Sequence, residues 1–201
     1  SCISVSYAQP LAAVGFDDGV VRFWDNRSPD TLLKPYLKLD IRSATQGYGF
    51  ADEADSQHSN PHEITSIAHD NSGLYMAVGT AGGLVSLYDV RSSKPLHIKE
   101  HKHGMPIHTL KFHSGSGCIL SSDEKLVKIW KYKSTGDLAH SSGVSADRFG
   151  ELASRSDETN NGMGAVVANV EGTGKFSNFI MAGDEKDPFG NSSGLLMCTT
   201  D

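Results

Sequence analysis

Apolar residues recur along this chain in short alternating runs rather than at helical spacing. In Val20-Val-Arg-Phe-Trp-Asp25, Val21, Phe23 and Asp25 project to one side and Val20, Arg22 and Trp24 to the other, the period-two pattern of a strand with one buried face. The scheme returns with Val127, Ile129 and Trp130. Each such run follows a first apolar run and a tight turn, and three segments superimpose on this basis. Leu11 to Asp25 lies over Tyr75 to Asp89, and both lie over Cys118 to Lys131. The turns Asp17-Asp18-Gly19, Ala81-Gly82-Gly83 and Asp123-Glu124-Lys125 hold residues that accept positive φ or bond side chain to backbone, although Lys125 is the weakest turn former among them. Each segment therefore predicts strand, turn, strand.

Further strands are predicted upstream of each hairpin, at Cys2 to Tyr7, Ile64 to His69 and Ile107 to His113. Downstream lie Leu32 to Leu39, Leu96 to His101 and, displaced, Val166 to Val170. Four strands per unit of about 40 residues, closing on an aromatic-Asp pair such as Trp24-Asp25 or Tyr88-Asp89, describe the blades of a WD-repeat β-propeller. The whole chain, 1–201, reads as an all-β partial WD40 propeller. Its blades fall at 2–41, 64–101 and 107–170, and a fourth starts at 175–201, an incomplete arc of about three and a half four-stranded blades from a larger propeller. Segments 42–62, 134–164 and 184–193 break the period and read as loop insertions. The longest has 31 residues, of which 18 are Ser, Thr, Gly, Asn or Asp, too few apolar groups to offset the entropy of ordering.

Composition narrows the function. The chain has 18 basic and 24 acidic residues, a formal net charge of −6, with 21% charged and 38% hydrophobic residues, which is globular composition. The acidic balance argues against neutralising many phosphates over the chain as a whole. No apolar run is long enough to span a membrane and no secretory signal pattern opens the chain. Cys2, Cys118 and Cys198 are far apart and form no CxxC pair, so a reducing compartment fits and a thiolate metal site does not.

Met76-Ala-Val-Gly-Thr-Ala-Gly-Gly-Leu-Val-Ser-Leu-Tyr-Asp-Val-Arg-Ser-Ser-Lys-Pro-Leu96, then Ile98-Lys-Glu-His-Lys-His-Gly-Met-Pro-Ile107 and Ile119-Leu-Ser-Ser-Asp-Glu-Lys-Leu-Val-Lys-Ile-Trp130, resemble the nucleolar protein 10 family in order and spacing. The specific likeness covers 73–133. Gly15 to Arg27 fits any WD blade, Asn169 to Glu171 and Ser193 to Met197 agree once insertions are removed, and the insert at 134–164 departs from the family pattern. The resemblance implies a non-enzymatic nucleolar scaffold of the small-subunit processome, which folds and processes precursor ribosomal RNA. It implies other processome proteins as partners, with pre-ribosomal RNA as a further, indirect contact. No cofactor, metal, membrane or small-molecule substrate is implied.

Five histidines, His97, His101, His103, His108 and His113, fall within 17 residues. Their spacing does not converge on a tetrahedral metal site. His103 stands four residues before Ile107, where WD repeats place a histidine that bonds within its own blade. Its expected partners are Ser122, Asp123 or Glu124, and Trp130. The endings Trp24-Asp-Asn-Arg27 and Tyr88-Asp-Val-Arg91 present an arginine fork suited to a carboxylate on the neighbouring strand or on a partner. A similar ending engages the adaptor in WD receptors of cullin-type ubiquitin ligases, the alternative function; pairing within the blade is the preferred role. Lys125, Lys131 and Lys133 gather around the third blade as further candidate partner contacts, on the opposite side of their strand from Lys128. No GxSxG, P-loop or HExxH motif occurs, and the paired acids Asp17-Asp18 and Asp123-Glu124 read as turn formers, so no enzyme is expected.

Overall fold

A computed structural model describes residues 2–5, 8, 10–25, 27, 34–45, 60–113, 116–133 and 164–171 with their side chains, and the backbone of 175–182 and 194–200. The first sheet comprises β1 (Cys2–Val5), β2 (Leu11–Gly15), β3 (Val20–Asp25) and β4 (Leu37–Asp40) in that order. A short helix, α1 (Ile41–Ala44), follows it, with Asp40 accepting a hydrogen bond from the Arg42 N–H. The second sheet holds β5 (Ile64–His69), β6 (Tyr75–Thr80), β7 (Leu84–Asp89) and β8 (Pro95–Glu100), again in sequence order. The third holds β9 (Thr109–His113), β10 (Cys118–Ser122), β11 (Leu126–Lys131) and β12 (Val166–Glu171). β13 (Lys175–Ala182) and β14 (Gly194–Thr200) pair as a two-stranded sheet. All neighbours are antiparallel, and the fold is the expected all-β propeller arc. β1 lies against β5, β5 against β9 and β9 against β13, so the first strand of each unit lines the inside of the arc.

The strand boundaries differ from expectation in instructive places. β4 begins at Leu37; of the expected strand from Leu32, Leu32 and Leu33 lie outside the described residues. β8 ends at Glu100; the His101 N–H still bonds the Gly83 carbonyl in register at 2.9 Å, and the chain turns directly after it, the Gly104 N–H bonding the His101 carbonyl at 3.1 Å. β9 begins at Thr109 because the Ile107 N–H bonds the Thr80 carbonyl of the preceding blade at 3.1 Å. The inserts expected at 134–164 and 184–193, and most of 42–62, lie outside the described residues. What is described is their footing: the Gly164 N–H bonds the Lys131 carbonyl at 2.7 Å and the Lys131 N–H bonds Ala165 at 2.9 Å, so β12 returns beside β11 across the insert.

Two cores hold the arc together, both between blades. Val21, Phe23 and Leu39 of the first blade pack on Ile64, Met76, Val78 and Tyr88 of the second. Ala77, Val85 and Leu87 on the second blade's other face pack on Ile107, Leu110, Ile119 and Trp130 of the third. Tyr132 closes this second core, edge-on to Tyr75 at 5.4 Å and to Phe112 at 4.8 Å. With apolar groups needed on both faces, Leu84, Val85, Ser86, Leu87 and Tyr88 are all buried. Each large aliphatic side chain sealed in this way contributes about 1.5–3 kcal/mol.

The blades also interlock through a repeated small-against-large contact. A Cβ on Gly79 would come within 2.7 Å of Ile107 Cγ2 and 2.5 Å of Ser66 Oγ, and one on Gly15 would meet Ile64 Cβ at 2.7 Å. Gly15 and Gly79 occupy the same position of β2 and β6, facing Val21 and Val85 respectively. Gly79→Ala is expected to destabilise the protein by about 1–3 kcal/mol through overpacking. Combined with Ile107→Ala it should cost less than the sum of the single changes, as read by urea unfolding of the two single variants and the double.

Candidate functional site

The most concentrated chemistry lies at the seam between the second and third blades. His101 leaves β8 at the point where the chain crosses between them, and Gly104 (φ 57°) closes the turn through its N–H to the His101 carbonyl at 3.1 Å. This directs the His101 ring into the hairpin of the third blade. Nδ1 lies 2.9 Å from Asp123 Oδ2 and Nε2 lies 2.8 Å from Ser121 Oγ. The expectation placed His103 in this role; it belongs to His101, because the turn begins there and carries His103, only partly buried, away from the seam.

The partners shift correspondingly. Ser121, not Ser122, meets the imidazole. Ser122 Oγ donates instead to the Asp123 carbonyl at 2.9 Å, and its own carbonyl accepts the His108 N–H at 2.9 Å. Glu124 turns toward His108, its Oε1 3.8 Å from Nε2. Trp130 is fully buried and supplies packing; its indole N–H has no acceptor among the described residues. Asp123 also shapes the β10–β11 hairpin, which is one residue shorter than its counterparts and lacks their glycine. Its Oδ1 accepts the N–H groups of Lys125 and Leu126, both at 2.6 Å.

Asp, His and Ser stand here in the order of a hydrolase relay. The geometry does not open to a substrate: His101 is 1% exposed, and Ser121 and Asp123 are 0%. Burial works to raise the Asp123 carboxyl, but hydrogen bonds from His101 and from the Lys125 and Leu126 amides outweigh it and hold the group below the usual carboxylate range. What the trio does is tie one blade to the next.

The Asp-x-Arg endings form closed forks. Arg27 Nε and Nη2 contact Asp25 Oδ1 and Oδ2 at 3.0 and 2.6 Å, and the Arg27 N–H adds a third bond at 2.9 Å. Arg91 repeats this on Asp89 at 2.8, 2.5 and 2.9 Å. The arginine side-chain and backbone donors hold Asp25 and Asp89 down at about 2. Arg42 on Asp40 is a third such fork, at 3.2 and 3.1 Å, and the sequence signal for it, Asp40-Ile-Arg42, has the same spacing. The pairing is thus within the blade, with the guanidinium groups themselves largely exposed. Trp24, ahead of the first fork, packs obliquely 6.4 Å from Phe16, and burial pushes the Tyr88 phenol up to about 12.

The lysines do not form one patch. Lys125 sits in the β10–β11 turn and Lys131 and Lys133 at the far end of β11, about 20 Å away at strand rise. Lys133 reaches the second blade, its Nζ 3.9 Å from the buried Asp70 carboxylate and 5.1 Å over the Tyr132 ring. Asp70 also accepts from Ser72 Oγ at 2.5 Å and the Tyr75 N–H at 3.0 Å. Lys128 donates to the Glu100 carbonyl, a further bond between blades, and burial lowers its ammonium pKa. Among the described residues no cluster of His, Cys, Asp and Glu could hold a metal ion.

His101→Ala should therefore cost about 3–5 kcal/mol, since it strands a buried carboxylate, whereas His103→Ala should change stability by less than about 0.5 kcal/mol. Because the Asp123 carboxyl is depressed in the folded state, its contribution is fully present above the unfolded value of 3.8 and is lost as pH falls through the lower folded value. Thermal unfolding followed from pH 6 to pH 2 should show a steeper acid loss in the parent protein than in Asp123→Asn.

The family model described as "Nucleolar protein 10-like, N-terminal domain", a β-propeller, matches residues 1–201. Nucleolar protein 10 of Homo sapiens is 37% identical over 124 residues, 62% of this chain and 16% of that protein. Nucleolar protein 10 of Xenopus laevis is 33% identical over 137 residues, 68% of this chain and 18% of that one. "Ribosome biogenesis protein ENP2" of Saccharomyces cerevisiae is 30% identical over 131 residues, 64% and 16% of the two chains. The chain thus spans between 16% and 18% of the length of these relatives. A chain of the solved structure "Crystal Structure of Mitotic Checkpoint Complex" superimposes with a TM-score of 0.55 at 17% identity, covering 88% of this chain and 41% of that one, a likeness of fold alone. Blade order, repeat sequence and the family match agree: this chain belongs to the nucleolar protein 10-like family of N-terminal β-propeller domains.

Proposed function

We propose that this propeller arc serves ribosome biogenesis as a non-enzymatic scaffold in the nucleolus, taking part in assembly of the small-subunit processome and in precursor ribosomal RNA processing through protein–protein contacts. The observation that carries the reading is the match of all 201 residues to a family whose members include proteins named for the nucleolus and for ribosome biogenesis.

The geometry supports the scaffold half of the reading. The nucleophile, base and acid that could have formed a reactive centre, Ser121, His101 and Asp123, are sealed between two blades and engaged with one another. Side chains that reach solvent, such as those of Arg27 and Arg91, sit at the ends and rims of rigid sheets, where several partners can be met at once.

Affinity purification of the full-length protein from growing cells tests the proposal. It should recover small-subunit assembly proteins together with precursor ribosomal RNA. Recovery of a cullin-ligase adaptor with neither of these would replace it with the receptor function.

A further inference from the structure

The two seams follow one plan but differ at the same three positions. The Ile41 N–H bonds the Gly19 carbonyl at 3.0 Å just as the His101 N–H bonds Gly83 at 2.9 Å, so Ile41 holds in the first seam the place that His101 holds in the second. Val78 stands opposite Ser86 as Ser121 stands opposite Lys128, Ser86 and Lys128 each following the matching valine, Val85 or Val127. Thr80 Oγ1 accepts the Leu84 N–H at 3.2 Å as Asp123 Oδ1 accepts the Leu126 N–H at 2.6 Å. Ile41, Val78 and Thr80 are all 0% exposed, and Ile41 shares its core with Val78. A seam of this fold therefore closes without His, Ser and Asp.

The apolar parts of the two seams are alike. Val21 opposite Gly15 matches Val85 opposite Gly79, and the two glycines admit Ile64 and Ile107 in the same way. Faces so similar can stack in the wrong order, a characteristic failure of repeat proteins. The polar trio is not needed for stability as such, since well-packed apolar groups of similar volume often serve as well as a buried ion pair. Its effect falls on wrong pairings. The third blade of one copy stacked on the first blade of another would set Ser121 and Asp123 against Ile41. Two second blades stacked on each other would set His101 against Val78. Each arrangement buries a polar group without its partner, which costs more than the apolar contact distinguishes.

We infer that His101, Ser121 and Asp123 act as a registry key, fixing which blade follows which by leaving a buried carboxylate or imidazole stranded in every other stacking. The inference stands apart from the ribosome-biogenesis reading, because it concerns how the arc is assembled and not what it meets.

The test is refolding of the full-length protein from urea at about 10 μM, with equal parts of isotopically labelled and unlabelled chains, followed by lysine-reactive cross-linking. The variant His101→Ile, Ser121→Val, Asp123→Thr carries the first seam's residues in the second. Its urea midpoint should lie far closer to the parent's than that of His101→Ala, yet it should leave at least about twofold more oligomer. Links between a labelled and an unlabelled chain should then join wrong neighbours, Lys38 of the first blade with Lys128 of the third, or Lys99 with Lys99. Asp123→Asn keeps an acceptor for the Lys125 and Leu126 amides and removes the charge. It should raise the oligomer fraction with the same wrong links, and it decides the question if the triple variant does not fold. Monomer recovery equal to the parent's in every variant that folds would overturn the inference. So would oligomers whose links join only Lys99 with Lys128, which lie on the two sides of the native seam, or a triple variant as unstable as His101→Ala that refolds wholly to monomer.

Discussion

A sheet that is apolar on both faces can be buried only by neighbours on both sides, and the middle blade of this arc is such a sheet. The residues of its third strand from Leu84 to Tyr88 are all out of solvent, although alternation sends them to opposite faces. One face is covered by the first blade and the other by the third. The seams are made the same way each time: a glycine near the end of the second strand admits an isoleucine from the next unit, whose N–H bonds a carbonyl one residue beyond that glycine. Ile64 bonds Phe16 beside Gly15, and Ile107 bonds Thr80 beside Gly79. The side of the first blade away from the second has no such cover among the described residues, and there Ile3 and Val5 are 70% and 54% exposed.

Polar groups then take up what the apolar contacts leave. His101 joins Asp123 and Ser121 across the second seam at one end, and Lys133 meets Asp70 across it at the other. In the third blade Lys131 and Lys133 stand where the first two have Asp and Arg of the fork, so an ion pair within the blade is exchanged for one between blades. The groups of the second seam with the strongest intrinsic chemistry, His101, Asp123 and Ser121, are committed to holding blades together; under the proposed scaffold function, recognition would fall to the exposed rims of the sheets.

The hairpins, their order and the four-strand unit were legible in the sequence because alternation and turn residues are local signals. The family likeness rested on the same stretch, from Met76 to Trp130. The histidine was not assigned correctly: distance from Ile107 favoured His103, and only the turn bond from the Gly104 N–H to the His101 carbonyl, with the ring's partners in the third blade, shows that His101 faces the seam. Ser122 was named where Ser121 makes the contact for a related reason, since which of two adjacent strand residues faces a seam depends on the neighbouring blade. The three lysines looked like one cluster in sequence but divide between the ends of a strand.

The account depends on the seams joining the blades into one cooperative body. Native-state hydrogen exchange on the full-length protein measures this directly, by comparing the amides of Ile64 and Ile107, which cross between blades, with those of Val78 and Leu87 inside a sheet. The account predicts that both sets open together, with the same dependence on denaturant. Seam amides that exchange through separate, low-energy openings while the sheets stay protected would show the blades to be independent units and would contradict it.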